Sequence, residues 1–274
     1  MQDRMNAFMM FLIVDKGSRK STANLKRRIV AKFLSDTGTT DPTHDQFRRY
    51  IMLLHETKKT RSHIANCIIS MEFYFEFIGN PISVKRPRKT QQIVDNTLSE
   101  ADIALIFASC ANEREKAVLA VIAYSGIRCE EVCNLKLNDV NLGGRSLKVT
   151  GKGGHEGISF ISSDCVNLVL AYLEKYPRDK DSYLFTTSRA GKQMSPTSIR
   201  RLVKKIAGRS PVGKRVHPHL FRHSLATNML DRGANPVTIQ KQLRHRHLST
   251  TMIYVHSRPQ KVEAEYMNFG PKYT

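Results

Sequence analysis

Between residues 22 and 35 the apolar positions Leu25, Ile29, Phe33 and Leu34 fall on one stripe, with lysines and arginines on the other faces. That spacing predicts an amphipathic helix. Thr43 is placed to cap a second helix whose buried side carries Phe47, Tyr50, Ile51 and Leu54. A third helix starts at Thr60 or Ser62. It runs through Ile64, Cys67, Ile68, Met71, Phe73, Tyr74 and Phe77 and stops at Gly79-Asn80-Pro81. Because its aromatics keep helical spacing, they read as core rather than as a base-stacking platform. Periodicity then fails over 81–96, where two prolines and four basic residues predict a linker.

Beyond the linker, Thr97-Leu98-Ser99-Glu100 opens another helix with capping residues. An apolar segment covers 115–125, and a helix over 129–136 follows Gly126. The stretch 145–162 changes period: β-branched residues alternate around a Gly-rich turn, which predicts a β-hairpin. Helices return over 163–175, 196–207, 218–231 and 236–243. The expected fold is mainly α, a helical bundle over 1–80 and an α-rich unit over 97–274 with one small antiparallel sheet.

Charge adds a partner to this outline. The 274 residues carry 44 Lys and Arg against 24 Asp and Glu, a net +20. Of this, +8 lies before residue 97 and +12 after it, so the charge is no detachable tail. A polyanion is the expected partner, nucleic acid ahead of a membrane surface. Apolar runs stay far below the ~20 residues of a membrane span. The short run Met9–Val14 lacks the features of a signal peptide. Cys67, Cys110, Cys129, Cys133 and Cys165 form no CxxC pair, which suits a reducing, cytoplasmic setting.

Four clusters in the second part are candidates for chemistry. Arg128 follows the Gly126 turn with Glu131 three residues on; alone, such a pair is a common surface feature. Lys152 sits between glycines at the hairpin tip, where it reads as a solvated turn residue or as a group reaching for a phosphate. The spacing is not that of a P-loop. His219 and Arg222 share a helix face, a pairing suited to an anion through a guanidinium fork and a titratable imidazole. Alone it equally describes a capping histidine and a surface arginine. Last, His245 precedes Tyr254 by nine residues; an isolated tyrosine of this kind is usually an amphipathic, half-buried residue.

In this order and at these intervals the clusters resemble the signature of the tyrosine recombinases, the phage integrase and Xer family. The match runs from Thr97 to about Val255 and includes Asp139, a structural position of the family. The first part is similar, less specifically, to the family's helical core-binding domain, and the chain is similar in length to compact Xer recombinases. Two departures stand out: Arg244 occupies a position usually held by Gly, and His155 one usually basic.

The resemblance implies a site-specific recombinase that acts on double-stranded DNA through a 3′-phosphotyrosine and a Holliday junction, with no metal and no cofactor. Tyr254 is then the nucleophile, Arg128 and Arg222 the phosphate clamp, and His245 a further donor to the phosphate. His219 becomes the base for the phenol and Lys152 the acid for the 5′-oxygen, with Glu131 bracing the site. It also implies a tetramer on paired sites, joined by a tail over 258–274. Both chromosome dimer resolution and mobile-element integration fit, and the compact length favours the former.

Three rivals remain in view. A non-catalytic DNA-binding protein explains the charge but not the coincidence of the clusters. A type IB topoisomerase would use similar chemistry for strand relaxation. Zinc binding by His217, His219, His223, His245, His247 and His256 lacks Cys or acidic partners at finger-like spacing.

Overall fold

The computed structural model describes residues 1–88, 97–151, 154–187 and 192–256. The chain divides into two compact units, Met1–Gln91 and Gln92–Thr274.

The first unit is built from α1 (Gln2–Val14), α2 (Lys20–Thr37), α3 (His44–Glu56) and α4 (Arg61–Phe77). The predicted caps of α3 and α4 both form. Thr43 Oγ1 takes the Gln46 N–H while Gln46 Oε1 takes the Thr43 N–H, a reciprocal box. Thr60, not Ser62, caps α4 by accepting from His63 N–H. The aromatics are core, as their spacing predicts. Phe8 meets Tyr74 edge to face at 5.2 Å, and Phe33 meets Phe47 in the same way at 5.8 Å.

Two features of this unit depart from the sequence expectation. α1 was not anticipated, because its apolar residues do not form one stripe; Met5, Phe8 and Leu12 are buried, and Met9 and Phe11 pack partly on the same core. On α2 the buried stripe is Ala23, Lys26, Val30, Phe33 and Leu34, and Leu25 is exposed. The stripe is rotated because Lys26 lays its stem inside and sets its ammonium 3.3 Å from the Phe73 ring centroid. The expected linker begins as packed chain: Ile82 and Val84 rest on this core, and Glu72 holds the Val84 N–H and Arg86. Residues 89–96 of that linker lie outside the described residues.

The second unit contains α5 (Glu100–Ala108), α6 (Glu113–Ser125), α7 (Cys129–Asn134), a three-stranded sheet, α8 (Ser163–Lys175), α9 (Pro196–Ala207), α10 (Pro218–Asp231), α11 (Pro236–Leu243) and α12 (Ser249–His256). The sheet is antiparallel in the order β1 (Val140–Asn141), β2 (Ser146–Thr150), β3 (Glu156–Phe160), so a short third strand joins the predicted hairpin. Val149 pairs with Gly157 and Leu147 with Ser159. α6 is buried from Ala117 to Ala123 because α8 and α10 both pack on it. That explains its uninterrupted apolar sequence. The predicted helix over 129–136 stops at Asn134, and a 3-10 turn, Leu137–Asp139, follows. Asp139 closes the turn by accepting from Lys136 N–H.

A smaller cluster, Ala226, Leu230, Ile239, Leu243 and Tyr254, joins α10, α11 and α12. Among the described residues no helix is long and apolar enough to cross a membrane. Nor do any three His, Cys, Asp or Glu side chains among them group as metal ligands would.

Candidate active site

The site grows from the end of α6. Gly126 closes that helix at φ +67°, a left-handed conformation that costs other residues about 1–2 kcal/mol. A Cβ there would also lie 2.6 Å from Leu243 Cδ2. The chain then turns so that Arg128 starts α7. An arginine brings no side-chain acceptor to that position, and Glu131 compensates. Its Oε2 takes the Arg128 N–H at 2.6 Å and its Oε1 takes Arg128 Nη1 at 3.2 Å.

Glu131 is buried, and a buried carboxylate needs more than one partner. The second is Arg244, whose Nη2 reaches Glu131 Oε2 at 2.6 Å and whose Nη1 reaches the Val149 carbonyl at 3.2 Å. Arg244 ends α11 at φ 53°, ψ 49°, a conformation suited to glycine. Its side chain explains why an arginine is held there. The stem crosses Gly157, where an added Cβ would lie 2.8 Å from Arg244 Cδ, and the guanidinium ties the α11 end to β2 and α7.

α10 begins at Pro218, and His217 Nδ1 caps it by accepting from Leu220 N–H. Arg222 is 5% exposed, whereas the Arg128 side chain is 44% exposed. Two guanidiniums of the site therefore differ in kind. Arg222 donates to the carbonyls of Gly126 and Leu243, at the carboxy-terminal ends of α6 and α11, where helix dipoles favour a cation. Burial and the nearby Arg128 lower its pKa to about 10, against the pull of Glu131 and Tyr254; it stays charged at neutral pH. Arg128 turns its exposed face outward.

His245 is also buried, with its ring fixed by a 2.8 Å bond between Nδ1 and Thr251 Oγ1. Burial, then Arg222 and Arg128, push its pKa down to about 4, so the ring is neutral at pH 7. Gln242 secures the turn that presents it: the side-chain amide bonds Ser125 O, Ser159 Oγ and both backbone groups of Phe160.

Tyr254 lies on α12 with its hydroxyl 2.7 Å from His223 Nδ1. Burial raises the phenol's pKa, and Arg222 opposes that shift. His223 is held below the ordinary histidine value by burial and then by His219, Arg222 and His217. His219 is exposed on the surface of α10. Its pKa is also lowered, by the protein around the ring and by Arg222, His217, Arg128 and Arg200.

Arg128, His219, Arg222, His245 and Tyr254, candidates picked from sequence spacing, thus share one electrostatic neighbourhood. Lys152 lies outside the described residues; the hairpin flanking it is closed by Gly151 N–H on the His155 carbonyl. Sequence reasoning assigned no role to His223 and none to the Arg244 side chain. Its expectation that His219 serves the phenol differs from the observed bond, which runs to His223. The available signal was the interval from His219 to His223, one helical turn.

Residues 89–261 match the model of the phage integrase family. The chain belongs to that family. It is 32% identical to tyrosine recombinase XerA of Pyrococcus horikoshii over 245 residues, which cover 87% of this chain and 84% of that protein. Tyrosine recombinase XerD of Listeria innocua is 26% identical over 99% of this chain and all of that protein. Among solved structures, the XerH recombinase bound to its difH substrate superposes with a TM-score of 0.67 at 19% identity, covering 90% of this chain and 78% of that one. A lambda integrase dimer on a core site gives a TM-score of 0.70 at 13% identity, over 91% and 96% of the two chains. This member of the phage integrase family is a tyrosine recombinase, an enzyme of site-specific DNA cleavage and rejoining.

Proposed function

We propose that Tyr254 is the nucleophile of strand exchange on double-stranded DNA, and that Arg128, Lys152, His219, Arg222 and His245 are its catalytic partners. Supporting this reading is one observation above the rest: Tyr254 is buried in a cluster with Leu243, whose carbonyl buried Arg222 holds. The phenolic oxygen attacks a phosphodiester, forming a 3′-phosphotyrosine and releasing a 5′-hydroxyl. Covalent storage of the bond lets rejoining proceed without ATP. Negative charge grows on the non-bridging oxygens, and preorganised guanidiniums stabilise it. Arg222 provides that charge from the floor of the site and Arg128 from its exposed side. Neutral His245 donates a hydrogen bond, His219 faces the phosphate from the surface, and Lys152 protonates the 5′-oxygen.

The first unit serves as the core-binding domain over 1–80. Lys58, Lys59 and Arg61, all exposed around the start of α4, suit backbone phosphates. Protomers assemble as a tetramer that resolves a Holliday junction in the cytoplasm. The segment 258–274, with Val262, Tyr266, Met267 and Phe269, lies outside the described residues; in this reading it joins neighbours.

The test is a suicide substrate, a nicked recombination site that traps the cleaved strand. Wild type is expected to form a covalent protein–DNA adduct and Tyr254→Phe none, with DNA binding kept. An adduct that survives in Tyr254→Phe overturns the assignment. Absence of an adduct with both proteins points to a binding role.

A further inference from the structure

α10 carries two histidines one turn apart in different surroundings. His219 is exposed, whereas His223 is half-buried and its Nδ1 lies 2.7 Å from the Tyr254 hydroxyl. The two rings are tilted by 56° with centroids 5.7 Å apart, so they meet through the ring nitrogen rather than by stacking. We infer that His223 is the catalytic proton acceptor for the Tyr254 phenol, which leaves His219 to the phosphate.

Geometry and charge both carry this. A general base must lie within about 2.6–3.2 Å of the hydroxyl it deprotonates, and His223 does. The ring must also be neutral. Burial and the positive surroundings of His219, Arg222 and His217 favour that form. With Nδ1 accepting, the proton of the neutral ring sits on Nε2. An unassisted phenol, its ionisation further opposed by burial, is a poor nucleophile at neutral pH.

The inference rests on Tyr254 being the nucleophile. In the forward step the phenolic proton passes to His223 Nδ1, and the freed electron pair forms the bond to phosphorus. The P–O5′ bond breaks, and the 5′-oxygen keeps that electron pair and is protonated by the acid assigned above. On rejoining, the 5′-hydroxyl returns its proton to that acid as its oxygen attacks phosphorus, and Tyr254 leaves as a phenolate that recovers the proton from His223. No oxidant, metal or nucleotide enters the balance.

Single-turnover cleavage of the suicide substrate at saturating protein tests this, with Tyr254→Phe as the blank. His223→Asn is the informative variant, because its amide oxygen stands near Nδ1 and accepts the hydrogen bond but takes no proton. It is expected to cleave about 100-fold more slowly than wild type while keeping its DNA affinity. His223→Ala is expected to be at least as slow and to regain rate in imidazole buffer. A His223→Asn rate within about threefold of wild type overturns the proposal, because general-base catalysis contributes far more. A folded His223→Ala protein that imidazole does not accelerate overturns it too. In either case a wild-type adduct that vanishes in Tyr254→Phe leaves the nucleophile standing.

Discussion

The two units bury different things. Among the described residues, the first has Lys26 and Ser70 as its buried polar side chains, around a core of Phe8, Phe33, Phe47, Tyr74 and Phe75. The second buries Glu115, Glu131, Arg222, Gln242 and His245 beside an aliphatic core. Burying a charge is unfavourable unless partners meet it. Each of these has them: Arg209 for Glu115, two arginines for Glu131, two helix-end carbonyls for Arg222. The interior of the first unit has only to hold shape and is apolar, whereas the second unit carries charges inside and fixes them in advance, as stabilising a developing anion would require.

The largest effect that would break this contrast is expected at Arg222. Arg222→Ala removes the proposed clamp donor and leaves two buried carbonyls without that partner. Cleavage should fall by about 10²–10³-fold or more. Stability should fall by about 2–4 kcal/mol, judged from hydrogen bonds to a charged group. Arg128→Ala should lose comparable rate but little stability, its side chain being far more exposed. Urea denaturation paired with single-turnover cleavage separates the two; equal destabilisation would show that burial and function are not linked here.

Arg244 sharpens the contrast at a smaller scale. Arg244→Gly relieves a left-handed strain of about 1–2 kcal/mol but takes a partner from buried Glu131, at about 3–5 kcal/mol, so the melting temperature should fall. Glu131 then pairs with Arg128 alone and holds its fork more tightly. Cleavage is therefore expected to slow by about tenfold, the size of one lost charged interaction. An unchanged rate would reduce Arg244 to a cap.

A titration follows next in size. The folded pKa of His245, about 4, lies below the ordinary value of 6.5. The neutral ring therefore contributes stability that is complete above pH 6.5 and is lost as pH falls towards 4, because unfolding takes up a proton in that window. The melting temperature of wild type should fall more steeply over this range than that of His245→Gln. Parallel curves would mean the ring is not held neutral.

The smallest effect belongs to the first unit. Tyr74→Phe removes a hydroxyl that donates to the Thr40 carbonyl at 2.7 Å. A loss of about 1 kcal/mol is expected, with cleavage by saturating protein unchanged. A drop in rate would show that this core does more than hold shape.

Much of this arrangement was legible in residue order, for reasons that differ between regions. Capping residues announced α3, α4 and α5, because a hydroxyl or carboxylate near a helix start has few other uses. The intervals among Arg128, His219, Arg222, His245 and Tyr254 singled out the residues proposed here for the site, which the fold brings near one another. α1 escaped because its apolar residues do not form one stripe, and α12 because its eight residues mix threonine with apolar positions without a clear stripe. Lys26 misled the stripe on α2, since a lysine's place depends on the Phe73 ring offered to it from α4. The bond between His223 and Tyr254 joins residues far apart in sequence, and only packing of α10 on α12 brings them together.

The most direct measurement is to identify the atom that carries the DNA. After cleavage of a suicide substrate, nuclease digestion and peptide mass spectrometry locate the phosphoryl adduct. The expected result is a 3′-phosphoryl group on the Tyr254 hydroxyl, with a free 5′-hydroxyl on the released strand. An adduct on another residue, or one bonded through the 5′-phosphate, would contradict the account.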